Sequence, residues 1–338
     1  MTIKDISRES GYSIGTVSRV LNNSPNVSQK AYNAIMAVVE KNHFLVNSNA
    51  KQLKKQGLSC IAVIVKGSKN MLFSSILESL QDIISKNEYL CLIYYIDEKD
   101  NEVDTALQIL KDKQPKGFIF LGSHIENFQK GFKYLDAPSV IATNSAKGLD
   151  FDQLASVCIN DRIAAMVAVC ELIKLGHKDI AVLGGDYEHS DPSKSRLLGA
   201  RDAFEKYNLK FDKESLYQSS TFSIDGGYYA MKELLKKNQK LSAVFAMADV
   251  MAVGAIRAIV ESKKEVPKDI SVIGFDGIEL GRYLNPRLST IKQPDSDIAR
   301  ISFELLEEIF EGEKARHIES SYKFIRGESM AEYEEGVF

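Results

Sequence analysis

Two groups of residues in this 338-residue chain have types and spacing suited to recognition chemistry. The first is Ser13, Ile14, Gly15, Thr16, Ser18 and Arg19, at the start of a helical pattern running from Ile14 to about Asn22. Arg19 can bridge guanine O6 and N7 with two hydrogen bonds. Gly15 costs roughly 1 kcal/mol in a helix interior, which suits a backbone that must come close to another surface. The second group is Asp276, which ends an apolar strand pattern, and Arg196, which lies in the first turns of a helical pattern. A carboxylate at a strand end can accept two hydroxyls of a polyol, and a guanidinium donates in a fixed fork. Catalytic patterns are not what the sequence offers. It has no Walker A loop, no GxGxxG fingerprint, no HExxH and no nucleophile elbow. His43, His124, His177, His189 and His317 are far apart and show no ligand spacing, and adjacent loop residues such as His189-Ser190-Asp191 cannot easily reach one another in triad order. No enzyme, cofactor or metal is expected.

The first group needs a scaffold of short helices. Thr2-Ile3-Lys4-Asp5 has capping-box spacing and starts a helix to about Ser10 that buries Ile3 and Ile6. Gly11 ends it with a turn at positive φ. Ser13 caps the second helix, with Val17, Val20 and Leu21 inward, and residues 22–26 form a turn cluster. Ser28 caps a third helix to about Asn42, with Ala31, Ile35 and Val38/Val39 inward. This is a helix-turn-helix, whose second helix enters the major groove; the plainer alternative is a solvated three-helix bundle. Charge favours the first reading. Residues 1–57 hold eight Lys/Arg against three acids, a net of +5, while the remainder nets −8. A basic head on an acidic body is the footprint of a nucleic-acid module joined to something else.

The second group needs a different scaffold. The expected strands are Cys60–Val65, Leu90–Ile96, Gly117–Leu121, Ser139–Thr143, Ser156–Ile159, Ile180–Leu183, Ala243–Ala246 and Ser271–Phe275. Helix-length segments alternate with them, among them Leu72–Lys86, Arg162–Leu175, Lys194–Tyr207, Ile224–Lys237 and Met251–Ser262. That alternation predicts parallel sheets covered on both faces, in two lobes, with a ligand crevice at the carboxyl ends of the strands. Apolar runs such as Ile163–Cys170 fall far short of the ~20 residues that span a bilayer. No signal peptide is evident, so the cytoplasm is expected. Cys60, Cys91, Cys158 and Cys170 share no CxxC spacing and sit in apolar stretches, so they are expected to be buried, reduced thiols.

The run T-I-K-D-I-S-x(4)-G-Y-S-x-G-T-V-S-R-V-L-N-x(4)-V-S at 2–28 resembles the DNA-binding headpiece of the lac repressor (LacI/GalR) family. Leu175-Gly176-His177, Leu183-Gly184-Gly185, Ser195-Arg196-Leu197-x-Gly199, Gly274-Phe275-Asp276 and Pro286-x-Leu288-Ser289-Thr290-Ile291 carry the resemblance on to about residue 330. It implies an all-α helix-turn-helix headpiece (1–45), a hinge helix (46–57), and an α/β periplasmic-binding-protein-like core of two doubly wound parallel-sheet lobes. The N-terminal lobe would comprise 58–157 and 290–319, and the C-terminal lobe 158–289 and 320–330. The crossings between them fall near 157, 289 and 320, and 331–338 is read as an acidic tail.

The resemblance also assigns roles. DNA contacts go to Thr2, Ser13, Ile14, Gly15, Thr16, Ser18, Arg19, Asn22, Ser28, Asn47, Ala50 and Leu53, with Leu53 wedged into the minor groove. Effector contacts go to Phe73, Asn160, Arg196, Phe222, Asp249 and Asp276; Phe73 and Phe222 fit core packing equally well. Three departures bear on the effector: Asn160-Asp161 stands where the family has Asp-Asn, Ala248 where many relatives have an asparagine, and Leu72 where an aromatic is frequent. Val46 replaces the proline that opens the family's hinge. The implied function is a homodimeric repressor of a carbohydrate-utilisation operon. It would bind a palindromic operator, be released by a small sugar-like effector, and have no membrane partner. The alternatives are a catabolite-control regulator answering to phosphorylated HPr, and a sugar-binding receptor sharing the same core.

Overall fold

The computed structural model describes residues 3–21, 27–41, 59–67 and 69–333. The chain forms two compact units, Met1–Leu58 and Ser59–Phe338.

The first unit holds α1 (Ile3–Ser10), α2 (Ile14–Leu21) and α3 (Gln29–Lys41). Ile6, Val17, Val20, Ile35 and Val39 form its core, while Leu21 and Val38 are only partly buried against it. Gly11 turns the chain at φ 74°. Ser13 Oγ accepts from Thr16 N–H at 3.2 Å, and Ser28 Oγ accepts from Ala31 N–H at 3.3 Å, so both serines cap as their spacing predicts. Gly11-Tyr12-Ser13-Ile14-Gly15 spells G-x-S-x-G, but here it joins two helices, and a nucleophile elbow needs a strand before its turn.

The second unit contains two six-stranded sheets. In the N-terminal lobe these are β1 (Cys60–Lys66), β2 (Leu90–Ile96), β3 (Gly117–Leu121), β4 (Ser139–Ala142), β5 (Leu154–Cys158) and β11 (His317–Glu319). Their order is β11-β5-β4-β3-β1-β2, and every pairing is parallel. Along β1, Ile61, Val63 and Val65 face one core, shared with α4 (Met71–Lys86) and α12 (Asp295–Phe310). Ala62 and Ile64 face the other, shared with α5 (Glu102–Lys113) and α6 (Ile125–Gly131). A strand buried on both faces must be apolar at every position, which is why Cys60–Val65 shows no alternation.

The C-terminal lobe holds β6 (Ile180–Gly184), β7 (Tyr217–Ser219), β8 (Ala243–Ala246), β9 (Ser271–Asp276), β10 (Ser289–Lys292) and β12 (Lys323–Ile325), ordered β12-β10-β9-β8-β6-β7. All pairs are parallel except β10–β12. Its helices are α7 (Asp161–Lys174), α8 (Asp191–Lys206), α9 (Lys213–Leu216), α10 (Ile224–Lys237) and α11 (Asp249–Glu261).

Several expectations need correction. β10 pairs with β9, so 290–292 belong to the C-terminal sheet, and the second crossing follows Lys292 instead of lying at 289. β5 spans Leu154–Cys158 and not Ser156–Ile159, so the first crossing follows Cys158. β7, β10, β11 and β12 are short strands, three or four residues each, that the pattern did not reveal. Residues 331–333 are not a free tail. Tyr333 N–H donates to Leu175 O at 2.7 Å, its ring stacks on His177, and His177 bonds Ala331 O and Ser242 Oγ. Of the four thiols, which are all free, Cys91 is only partly buried.

Candidate functional site

The strand order reverses at β1/β3 in one lobe and at β6/β8 in the other. Carboxyl ends at such points leave a crevice, because the following helices go to opposite faces of the sheet. Here the crevices face each other and form a cleft of ≈ 790 Å³. Lys66 at the end of β1 and Gly67 after it, Gly122 and Ser123 after β3, Gly185 and Asp186 after β6, and Asp276 at the end of β9 all line it.

Asp276 is held in a constrained conformation. Its φ is 116°, a region that residues with a Cβ rarely adopt, and strain of this kind concentrates at functional sites. Gln293 holds it there: the amide Nε2 donates to Asp276 Oδ1 at 2.8 Å, and Gln293 N–H donates to Asp276 O at 3.0 Å. Asp276 Oδ2 is buried and has no hydrogen-bond partner. Burial pushes its carboxyl up to about 7, against the opposing pull of Arg196 and the Gln293 bond.

Arg196 is nearly buried. Its Nε donates to Asp161 Oδ1 at 2.6 Å, its Nη1 donates to Met247 O, and its guanidinium stacks on Phe275 at 3.8 Å from the ring centre. Arg196 Nη1 lies 3.8 Å from Asp276 Oδ1. The two residues that the resemblance singled out therefore meet in one corner of the cleft.

Phe73 and Phe222 also line it. A Cβ on Gly122 would strike the Phe73 ring at 2.8 Å, and one on Gly185 would strike Phe222 at 2.6 Å, so both rings are also packed against the strand ends.

Asn160 and Asp249 do not line this cleft. Asn160 caps α7 by accepting from Ile163 N–H at 3.1 Å and donates to Glu319 at 3.3 Å, which turns it toward a second cavity. Asp249 is fully buried behind the strand ends, accepting from Thr290 Oγ1 at 2.7 Å and Ile278 N–H at 2.8 Å. Burial, then the neighbouring Asp276 charge, holds its carboxyl well above the usual range. It ties α11 to β10.

The sequence reading missed several polar residues of the cleft. Lys66 is one; it pairs at 2.6 Å with Glu102, which lies fully buried behind the lining and accepts from His124 N–H at 2.6 Å and Asn127 Nδ2 at 3.0 Å. Thr143 has φ 79°, unusual for a β-branched residue. Gln293 was missed because the second crossing was placed three residues early. Nothing local marks these positions; they are brought together by loops from different strands.

In the first unit, Ser13, Gly15 and Arg19 are exposed, Ile14 is 48% exposed, and Thr16 is partly so. Arg19 Nε donates to Gly15 O at 3.3 Å, and the Ser13 and Thr16 hydroxyls are 2.9 Å apart. Polar groups and one apolar side chain thus share the outer surface of α2. Ser28 sits outside the α3 core. Thr2, Asn22, Asn47, Ala50 and Leu53, and the side chain of Ser18, lie outside the described residues. No helix among the described residues is long and apolar enough to cross a membrane.

Residues 2–47 match the family described as bacterial regulatory proteins, lacI family, and residues 169–330 match a periplasmic binding protein-like domain. The HTH-type transcriptional regulator MalR of Clostridium butyricum is 36% identical over 313 residues, covering 90% of this chain and 92% of that protein. Catabolite control protein A of Priestia megaterium is 28% identical over 307 residues, covering 90% and 91%. Among solved structures, a LacI family transcriptional regulator from Enterococcus faecium with bound ribose superposes with a TM-score of 0.72 at 25% identity, covering 82% of this chain and 100% of that one. A basic helix-turn-helix unit, a two-lobed cleft and relatives that are regulators and not enzymes agree: this chain belongs to the lacI family of bacterial DNA-binding transcriptional regulators.

Proposed function

We propose that the chain is a cytoplasmic, homodimeric repressor of a carbohydrate-utilisation operon, released from an inverted-repeat operator when a small sugar-like effector fills the cleft. The observation that carries this reading is Asp276 Oδ2, a buried carboxylate oxygen without a partner in a cleft lined by Arg196, Phe73 and Phe222. A carboxylate beside a fixed guanidinium suits vicinal hydroxyls, and the flanking rings suit the apolar face of a pyranose. Related proteins support the class: one structural relative holds ribose, and the fold is shared with a CelR–cellobiose complex. On the DNA side, Ser13, Ile14, Gly15, Thr16, Ser18 and Arg19 would read the major groove, with Leu53 of the hinge wedged into the minor groove.

Thermal unfolding of the full-length protein against a panel of mono- and disaccharides tests the reading. A saturating ligand at 100 Kd stabilises by about 2.7 kcal/mol. The expected result is a shift with at least one sugar, reduced in Asp276→Asn. The relationship to catabolite control protein A supports a second reading, control by a protein partner. No shift with any sugar, and one with phosphorylated HPr, would favour it.

A further inference from the structure

Asp191, the first residue of α8, reaches out of the C-terminal lobe to the N-terminal one. Its Oδ2 accepts from the backbone N–H of Ile125 at 3.0 Å and lies 3.4 Å from His124 Nδ1. Ile125 is the first residue of α6, and His124, its N-cap, makes no side-chain capping bond. An acceptor oxygen of the opposite lobe therefore takes the first N–H of α6, which His124 leaves uncapped. The surroundings give the contact a defined place. Glu102 fixes the His124 backbone N–H at 2.6 Å, and His124 Nε2 lies 3.5 Å from Glu126.

The contact also stands between two spaces. His124 and Ser190 line the ≈ 790 Å³ cleft, Ile125 and Asp191 line a neighbouring cavity of ≈ 460 Å³, and Asn144 and Pro192 border both. The crossing segments lie elsewhere, after Cys158, after Lys292 and between Glu319 and Lys323. The lobes can separate about those segments only by giving up the bond to Asp191.

We propose that Asp191 is an inter-lobe latch: by capping α6 across the cleft it holds the lobes closed and separates the effector chamber from an outer vestibule. It is a positioning residue. When the binding-competent form is a fraction of the population, apparent affinity falls by that fraction, so the latch sets how tightly and how fast an effector is held without touching it. The geometry stands whatever the effector proves to be.

The test needs no effector. Spin labels at the exposed positions Lys133 and Lys206, one per lobe, report the inter-lobe distance in the full-length protein by double electron–electron resonance, in a Cys91→Ser background. Asp191→Ala removes the acceptor. Ile125→Pro removes the donor from the other side, at the first helical position, where proline is tolerated. Both variants are expected to broaden the distribution toward longer distances, equally, and the double variant no further. Asp191→Asn keeps an acceptor oxygen and should restore the wild-type distribution. A wild-type distribution in both single variants, or opening in the alanine variant alone, would overturn the latch. Should Asp191→Ala fail to fold, Ile125→Pro against Asp191→Asn decides the question.

Discussion

Asp276 places a titration near neutral pH in the wall of the cleft. Its carboxyl is raised to about 7 because burial disfavours the charged form more than Arg196 and Gln293 favour it. A polyol hydroxyl donates to the carboxylate, so an effector binds the ionised form. The ionised fraction rises with pH through 7, and effector affinity should therefore be about tenfold weaker at pH 6 than at pH 8. Calorimetric titration at the two pH values checks this, and Asp276→Asn should flatten the profile. At the other site, Arg19→Ala should cost on the order of 1–3 kcal/mol of operator binding and relax preference at one base pair per half-site. Equal losses on specific and random DNA, measured by fluorescence anisotropy, would restrict Arg19 to phosphate contact.

Gly15 lets the role of α2 be separated from its stability. A Cβ there would meet only Ser13 Oγ, at 3.9 Å, so the protein's own packing does not require glycine. Gly15→Ala should stabilise the headpiece by roughly 0.5–1 kcal/mol through helix propensity and yet weaken operator binding. Higher stability with unchanged binding would mean that this backbone does not approach DNA. The C-terminal segment offers a second element-scale test. His177 is buried under Tyr333, and burial pushes its imidazole down to about 4. Its folded pKa is below the unfolded value near 6.5, so the unfolded chain binds the extra proton. The stability that neutral His177 supplies is present above pH 6.5 and is lost as pH falls toward 4, on the order of 3 kcal/mol. Denaturant midpoints between pH 7.5 and 4.5 should fall more steeply for the wild type than for His177→Gln. Elements like this strap were hard to read in the sequence. β7, β11 and β12 are too short to show a period, and 331–333 is held through its own backbone groups, to Leu175 O and to the Ser271 and His177 side chains, and by one ring, which is too little to make a side-chain pattern. The long central strands were legible because a strand covered on both faces must be apolar throughout.

For the whole molecule, the prediction is a coupling. A ligand shifts an equilibrium only by its differential affinity for the two states. If the effector favours one arrangement of the lobes and the operator another, effector should lower operator affinity by roughly 1–3 kcal/mol, and operator should weaken effector binding by the same factor. Titrating the effector into the protein–operator complex, and operator into the protein–effector complex, checks sign and reciprocity together. Tighter operator binding would identify a corepressor.

The sequence by itself determined the helix-turn-helix, since its caps, turn glycine and apolar spacing are all local, and it determined the β-α alternation of the core. Its motif residues also singled out Asp276 and Arg196. Only the tertiary structure decided which polar residues share the cleft. Asn160 and Asp249 adjoin helix starts as cleft residues do, but bonds to Ile163 and Glu319, and to Thr290 and Ile278, turn them away. Gln293, Ser123 and Thr143 come in from separate loops. The reason is physical. Periodicity reports which face of an element is buried, but a polar side chain's direction depends on the partners that the other strands' loops bring to it.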